Sequence, residues 1–235
     1  MEPPVNIKPP PMTHYDPPAG PLAMVHADAS LLLVDKPAGL LSVPGKAAEH
    51  RDCLEHRMVA TFPEARLIHR LDMDTSGLMI FARSALAQRH VNWQFERRQI
   101  EKSYIARVAG RVAQECGAID LPLRCDWPNR PLQMVCAEEG KPSLTEWQVL
   151  ERGEDETLLR LLPKTGRSHQ LRVHLRAIGH TILGDRFYGG RAAPRLMLHA
   201  ESLRLRHPEG GTWVRFEAPC PFADTSDGPP PPGGA

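Results

Sequence analysis

One short segment, IHRLDMDTSG (residues 68–77), holds the side chains of this sequence that could most directly do chemistry. Within six residues it places one histidine, one arginine and two aspartates, namely His69, Arg70, Asp72 and Asp74. Such a set could bind a metal, carry a phosphotransfer nucleophile, or supply one nucleophile together with its counter-ion. It could also form nothing more than a well-capped turn.

A metal site at Asp72 and Asp74 is the first possibility. In an extended segment, residues i and i+2 point to the same side, so both carboxylates could share a hard cation. Arg70 has the same parity and would repel that cation. The order Asp-x-Asp-Thr also resembles the nucleophile motif of haloacid-dehalogenase-type phosphatases, but IHRL is not the continuous apolar strand expected before it. A magnesium-dependent phosphatase is therefore kept only as a remote alternative.

The residues after Asp72 are typical of a turn. Asp, Thr, Ser and Gly are favoured in turns, and here they precede the apolar run LMIFA. A turn accounts for Asp74, Thr75 and Ser76, with Asp74 bonding nearby amides, but it leaves Asp72 and the preceding basic residues unexplained. From the residues alone, Asp72 is a candidate catalytic carboxylate or a structural ion pair.

A second candidate site is the segment KTGRSHQLRVH (residues 164–174). Helix N-terminal amides next to Arg and Lys form an anion-binding corner. Residues 164–176 contain no acid, and the predicted helix carries His169, Arg172 and Arg176 on one face, just after Arg167. A phosphate site and a surface ion-pair cluster explain this pattern equally well.

Short alternating runs typical of strands dominate the chain between residues 22 and 218. The clearest are LAMVH, SLLLV, LMIFA, SYIARVAG, TEWQVL, TLLRLL, RLMLH, SLRLRH and TWVRFEA. Helices are predicted over residues 53–62, over 84–98 with Ser84 as N-cap, and over 169–179 with a left-handed Gly179 at the end. Strands with a few helices, rather than strict alternation, predict an α+β fold with a mixed, mostly antiparallel sheet and flanking helices.

The length of 235 residues allows one large domain or two small ones between two tails, and we expect a single domain. Residues 1–21 form a Pro-rich N-terminal tail, residues 22–222 form the domain, and residues 223–235 form a Pro- and Gly-rich C-terminal tail. The five cysteines form no Cys-x-x-Cys pair and are expected to be reduced thiols. Because no signal peptide or membrane span is present, we expect a cytoplasmic protein without membrane or metal.

The charge distribution points to a polyanion partner, although the formal net charge is only +1. From Arg83 to Arg111 there are seven Lys or Arg against two Glu, and residues 164–176 are free of acids. Two separate acid-poor runs favour a polyanion, although any one run is more often a solvated surface.

Taken together, several segments resemble the RluA family of pseudouridine synthases. HRLDMDTSG, KSYIARVAG, KTGRSHQLRVH, ILGDRFYG and LMLHA occur in the family's order, VDKPAGLLSVPG opens the domain, and the likeness covers roughly residues 22–222. The turn CDWPNRP and the segment MDTSG are most similar to the short members, which lack an S4-type RNA-binding domain. The resemblance implies an isomerase that detaches uracil from ribose C1′ and rejoins it through C5 without a cofactor, in a cleft across the sheet.

The resemblance also implies roles for five residues. Asp72 is the nucleophile, and Arg167 pairs with it and keeps it ionised despite burial. Tyr104 stacks on the target uracil and takes part in proton handling. Leu198 walls the pocket against water. Arg70 enters the space that a flipped nucleotide vacates. Whether Asp72 attacks the base or C1′, or assists glycal formation, stays open.

The expected partner is structured RNA, either a tRNA anticodon loop, a 23S rRNA loop or both, bound by a monomer. Candidate substrate contacts are His169, Arg172 and Arg176, and further phosphate contacts are Arg97, Arg98 and Lys102. An RNA-binding or RNA-remodelling module on the same fold is the main alternative. The Asp72, Tyr104 and Arg167 set argues against it.

Overall fold

The computed structural model describes residues 15–223. The predicted tails therefore lie outside it, except for residues 15–21 and residue 223. The described chain divides into two compact units. We call Ala106–Met197 the middle unit, and Tyr15–Ile105 together with residues 198–223 the terminal unit. Within residues 15–223, no helix is both long enough and apolar enough to cross a membrane.

Residues 15–223 contain strands and helices in the mixed order expected of an α+β protein, which confirms the predicted fold class. The strands are β1 (Ala23–Ala27), β2 (Leu31–Lys36), β3 (Arg66–Leu67), β4 (Ser76–Ala82), β5 (Glu101–Ala109), β6 (Cys116–Asp120), β7 (Leu123–Cys125), β8 (Gln133–Val135), β9 (Leu144–Arg152), β10 (Glu156–Pro163), β11 (Leu198–Arg206) and β12 (Trp213–Glu217). The α-helices are α1 (Leu54–Thr61), α2 (Ala85–Glu96) and α3 (Gln170–Ala177).

The pairing within each unit is mostly antiparallel. In the terminal unit the strands follow the order β1-β2-β4-β11-β12, with β3 beside β4, and only the β4–β11 pair is parallel. In the middle unit, β9 pairs with both β10 and β6, and β7 and β8 form a separate small hairpin. Strand β5 contains the boundary between the units, between Ile105 and Ala106.

The predicted elements agree with the structure except at certain ends and short strands. Ser84 caps α2 by accepting a hydrogen bond from the Ala87 amide, and Gly179 has a φ of +84° after α3. The runs RLMLH and SLRLRH do not form two separate strands. The single strand β11 begins at Leu198, near the end of the first run, and ends at Arg206, within the second. Ile178, which directly follows α3, is exposed although it is apolar.

The core of the terminal unit covers both faces of β4, whose seven residues are all buried. Leu78 and Ile80 face one cluster, which includes Val91 of α2. Met79 and Phe81 face the other cluster, which includes Leu54 and Met58 of α1. Burial on both faces explains why this strand is a continuous apolar run rather than an alternating one.

Strand β4 begins where the backbone closely approaches β11. Gly77 pairs with Ala200 at a φ of +113°, and a Cβ on Gly77 would lie 2.3 Å from the Ala200 carbonyl oxygen. Beside it, Ser76 Oγ lies 2.7 Å from His199 Nδ1, and His199 Nε2 lies 3.0 Å from the Ala218 carbonyl oxygen. Because a carbonyl only accepts, Nε2 of a neutral His199 carries the proton and Nδ1 accepts from the serine.

We expect Gly77→Ala to destabilise the protein far more than Gly20→Ala. Gly20 has nearly the same φ, +114°, but a Cβ there meets no atom within 4 Å, so it isolates the cost of the backbone conformation. Gly77→Ala should lower the free energy of unfolding by at least about 2 kcal/mol beyond that control, measured by urea denaturation. Equal effects of the two substitutions would contradict the close approach of β4 and β11.

Candidate active site

Asp72 lies in the loop between β3 and β4, at the first position of a tight turn. The Thr75 amide donates a hydrogen bond to the Asp72 carbonyl at 3.2 Å, so the turn expected from the sequence is present. Asp72 is half-buried, Arg70 is exposed, and Thr75 is buried. The loop therefore leaves one acid at the margin of the core, immediately before the buried strand β4.

A buried lysine fixes the backbone next to Asp72. The Lys36 side chain is fully buried, and its Nζ donates to the carbonyl oxygens of Pro37 at 2.9 Å, Leu40 at 2.7 Å and Met73 at 2.9 Å. The Gly39 amide also donates to the Met73 carbonyl, at 2.9 Å. A buried ammonium must have its donors satisfied, so this geometry ties the end of β2 to the residue after Asp72.

The residue before Asp72 is held as well. Ser42 Oγ donates to the Leu71 carbonyl at 2.6 Å and accepts from the Leu71 amide at 3.1 Å. Leu71 and Ser42 are both buried. Asp72 thus stands between two fixed neighbours, which restricts the directions available to its carboxylate.

Replacing Lys36 by Met should loosen this loop. The methionine fills similar space but removes the Nζ donor from the carbonyl oxygens of Pro37, Leu40 and Met73, and of these Met73 keeps the hydrogen bond from the Gly39 amide. The free energy of unfolding should fall by about 2–5 kcal/mol, and hydrogen exchange of the Thr75 amide should accelerate. Lys46→Met, at an exposed position, is the matched control and should change neither. Slow exchange at Thr75 in Lys36→Met would show that the lysine does not hold the loop.

Tyr104, on β5, lies close to Asp72. Its ring packs on the apolar cluster that includes Leu71, Met79 and Ala200. Burial, together with the nearby Asp72 carboxylate, raises the pKa of the Tyr104 phenol well above its usual value of 10. The phenol therefore keeps its proton at neutral pH, and a hydrogen-bond donor stands beside a carboxylate.

His69 is a neutral structural residue. Its Nε2 accepts a hydrogen bond from the Ile80 amide at 3.3 Å, and its ring lies 5.2 Å from that of Phe95. Burial and the nearby Lys102 ammonium lower the pKa of His69 from 6.5 to about 4. Burial and Arg98 in turn lower the pKa of Lys102 to about 8. His69 therefore anchors the start of the Asp72 loop to β4 and α2 without carrying charge.

The shifted pKa of His69 predicts acid sensitivity. The unfolded chain binds a proton at this histidine below about pH 6.5, but the folded chain does so only below about pH 4. The stability contribution is therefore complete above pH 6.5 and falls by up to about 3 kcal/mol as the pH drops to 4. His69→Gln, which keeps an acceptor for the Ile80 amide, should lose less stability over this range in urea titrations. Identical pH profiles for the two proteins would contradict the assignment.

Arg167 lies in the middle unit, in the loop before α3. Its amide donates to Gln170 Oε1 at 3.0 Å, and the Thr165 hydroxyl donates to the same oxygen at 2.8 Å. Gln170 Nε2 donates in turn to the Leu144 carbonyl at 3.1 Å. The Arg167 side chain is half-buried, and among the described residues its Nε is buried without a hydrogen-bond partner. Gln170 thus fixes the backbone that presents a guanidinium group.

The other basic residues of this segment do not share one exposed face. Arg172 is only 2% exposed and forms a bidentate ion pair with Asp185, at 2.8 and 2.7 Å. Its guanidinium is therefore paired inside the middle unit, and the prediction that Arg172 lies on an exposed basic face and contacts the substrate is wrong. Arg176, from the same predicted face, is half-buried. His169 has a left-handed backbone, with a φ of +52°, and its Nδ1 lies 2.7 Å from the Tyr188 hydroxyl.

The predicted site residues thus fall into two groups. Asp72, Tyr104, Arg70 and the buried Leu198 belong to the terminal unit. The middle unit contains Arg167, His169, Arg172 and Arg176. Among residues 15–223, no three His, Cys, Asp or Glu side chains come together as metal ligands.

Sequence reasoning missed the residues that support the site, Lys36, Ser42 and Gln170. A signal for Lys36 was present, because a lysine that follows the apolar run LLLV after one aspartate and precedes a proline lies where a buried strand ends. Ser42 and Gln170 carry no comparable signal, since they bond main-chain groups and, for Gln170, threonine hydroxyls that only the fold brings near.

Comparisons with known proteins match most of the chain. A family model described as RNA pseudouridylate synthase matches residues 30–177. The dual-specificity RNA pseudouridine synthase RluA of Escherichia coli K12 is 50% identical over 217 residues, which cover 90% of this chain and 99% of that protein. The protein of the same name from Vibrio parahaemolyticus is 51% identical over 222 residues, covering 90% of this chain and 88% of that protein.

Two solved human structures are similar. Human RNA Pseudouridylate Synthase Domain Containing 1 has a TM-score of 0.75 at 30% identity, covering 89% of this chain and 88% of the human one. Human RNA Pseudouridylate Synthase Domain Containing 4 has a TM-score of 0.70 at 24% identity, covering 85% and 89%. The second comparison bears on the fold alone.

Proposed function

The chain belongs to the RNA pseudouridylate synthase family, and we propose that it isomerises specific uridines of structured RNA with Asp72 as its nucleophile. The observation that carries this proposal is the placement of Asp72 beside the protonated Tyr104, in a loop clamped on both sides. As a family member the protein is an isomerase. The residue roles and the RNA substrate are our own inference.

The environment of Asp72 suits a carboxylate nucleophile. A carboxylate is a weak nucleophile and must be ionised, correctly aimed and poorly hydrated. The hydrogen bonds to Leu71 and Met73 fix the backbone on either side of Asp72. The fixed backbone supplies the geometric part of this requirement.

Tyr104 is proposed to handle protons and to stack on the target uracil. Burial and the Asp72 charge keep the phenol protonated, so it can donate to a carbonyl of the base or relay the proton released when C5 is substituted. Its ring packs on the apolar core, and we propose that the target base stacks on the other side of the ring. Leu198, buried at the start of β11, is proposed to exclude water from the same pocket.

Arg167 is proposed as the counter-ion that keeps Asp72 charged, and its buried, unpartnered Nε supports a role toward an anion. The exposed Arg70 is proposed to fill the gap left by the flipped nucleotide. His169 and Arg176 are proposed to contact the substrate, and the exposed Arg97 and Arg98, with Lys102, to contact phosphates. Arg172 is omitted because Asp185 holds it in the core.

For the substrate we propose a tRNA anticodon loop, a 23S rRNA loop or both. The relatives from Escherichia coli and Vibrio parahaemolyticus are named dual-specificity RNA pseudouridine synthases, which supports more than one RNA. We further propose that the enzyme acts in the cytoplasm as a monomer, without a cofactor, since the isomerisation exchanges no electrons.

Asp72→Asn should abolish pseudouridine formation while leaving RNA binding within about threefold of the parent protein. The amide has the shape of the acid but neither its charge nor its nucleophilicity. Asp74→Asn is the matched control, two residues away in the same turn, and should retain activity. Pseudouridine is mapped across total RNA from cells that lack the protein and are complemented with the parent or either variant.

The outcomes of this experiment separate the nucleophile assignment, the enzymatic function and the identity of the substrate. Restored modification by Asp72→Asn would remove the nucleophile assignment. A parent protein that binds RNA but restores no pseudouridine would instead favour an RNA-binding or remodelling module. The RNA in which modification is restored identifies the substrate as tRNA, rRNA or both.

A further inference from the structure

The hairpin turn of the middle unit displays an aromatic ring to solvent. Trp127 is 67% exposed, more than any other tryptophan among residues 15–223. The Arg130 guanidinium lies over its ring, 4.6 Å from the centroid. Pro128 and Pro131, also exposed, continue this surface. Trp127, Pro128 and Pro131 thus form a small exposed apolar surface beside a cation.

The turn is rigid. The Asp126 amide donates to the Leu132 carbonyl at 2.9 Å, and the Leu132 and Asn129 amides donate back to carbonyls within the turn at 3.0 Å. Asn129 Nδ2 also donates to the Asp126 carboxylate at 2.9 Å. Leu132 is buried in a cluster with Leu123. The ring of Trp127 is therefore held out by a fixed scaffold, so little conformational entropy is lost when it binds.

Hydrogen bonds join this turn to the segment of Arg167. The Gln133 amide donates to the Tyr188 hydroxyl at 2.9 Å, and the same hydroxyl lies 2.7 Å from His169 Nδ1. His169 is two residues from Arg167 and is held in a left-handed conformation. The exposed tryptophan and the proposed catalytic arginine are thus mounted on one hydrogen-bonded framework within the middle unit.

We propose that Trp127 and Arg130 form a stacking platform for one unpaired base of the RNA substrate, outside the catalytic pocket. This rests on the proposed function, since it assigns a contact for the same RNA. Arg130 covers one face of the indole, and the exposure of Trp127 leaves another face open to a base. The guanidinium attracts the phosphate backbone, and a base stacks on an indole with little regard to its identity. The platform thus selects for an unpaired nucleotide, which paired RNA cannot supply.

The chain offers a matched control in Trp213 of β12. Two guanidinium groups, those of Arg204 and Arg206, lie over its ring at 4.7 and 4.8 Å. Arg206 is also its cross-strand partner. Trp213 thus shares the aromatic and cationic chemistry of Trp127 but is incorporated into a strand pair. Loss of its ring tests whether any exposed tryptophan supports RNA binding.

The experiment compares the parent protein with Trp127→Ala, Trp127→Phe and Trp213→Ala. The probe is a synthetic tRNA anticodon stem-loop, together with versions in which each loop nucleotide in turn is abasic. Fluorescence anisotropy gives Kd, and pseudouridine formation gives kcat and KM. We expect Trp127→Ala to raise Kd and KM by roughly 5- to 150-fold, the range for one stacked base, with kcat unchanged at saturating RNA. Trp127→Phe should recover most of the affinity, and Trp213→Ala should behave as the parent.

The abasic series identifies the stacked base. One abasic stem-loop should bind the parent as weakly as the intact stem-loop binds Trp127→Ala, and the two changes together should cost no more than either alone. Parent-like binding by Trp127→Ala would overturn the platform, as would an equal further loss with every abasic RNA. A parent that forms no pseudouridine would refute the proposed function instead, while the anisotropy series would still test the platform.

Discussion

The site depends first on a single buried ammonium. Sealing Lys36 inside the terminal unit would be prohibitive if its three donors faced apolar atoms, so the chain turns three carbonyl groups toward it. Two of these belong to the segment that leaves β2, and the third belongs to Met73. The Lys36 ammonium thereby links the end of β2 to the Asp72 loop through hydrogen bonds. The backbone position of Asp72 depends on these three hydrogen bonds.

The Lys36 ammonium and the Ser42 hydroxyl bond to the backbone of the Asp72 loop, and the neutral imidazole of His69 anchors the start of this loop to the Ile80 amide. Burial and the nearby Asp72 carboxylate both raise the pKa of the Tyr104 phenol, which therefore keeps its proton. A site built in this way can bring an anion and a proton donor together without neutralising either.

The sequence predicted the parts of this architecture that local chemistry determines. The turn after Asp72, the Ser84 cap and the strand at LMIFA each follow from residues that are adjacent or within one helical turn. The misplacement of Arg172 has a different origin. Helical periodicity put it on a basic face, but Asp185, thirteen residues away, draws it into the core. A pairing formed through the fold leaves no periodic trace in the chain.

The same limit applies to the short strands and the clamp residues. Strands β6, β7 and β8, of three to five residues, are too short to establish an alternation. Lys36 and Gln170 act on main-chain carbonyl and amide groups, which every residue possesses, so the sequence cannot specify their partners. The sequence pattern could name candidate chemical side chains, but it could not predict the backbone hydrogen bonds that position them.

The contact between Ser76 and His199 spans 123 positions of the chain. Strand β4, which follows the candidate nucleophile Asp72, therefore gains its parallel neighbour only from a segment that is distant along the chain. A nascent fragment that ends before residue 198 carries Asp72 and Tyr104 but lacks β11. The framework around the candidate site thus cannot be completed by local folding and must wait for this later segment.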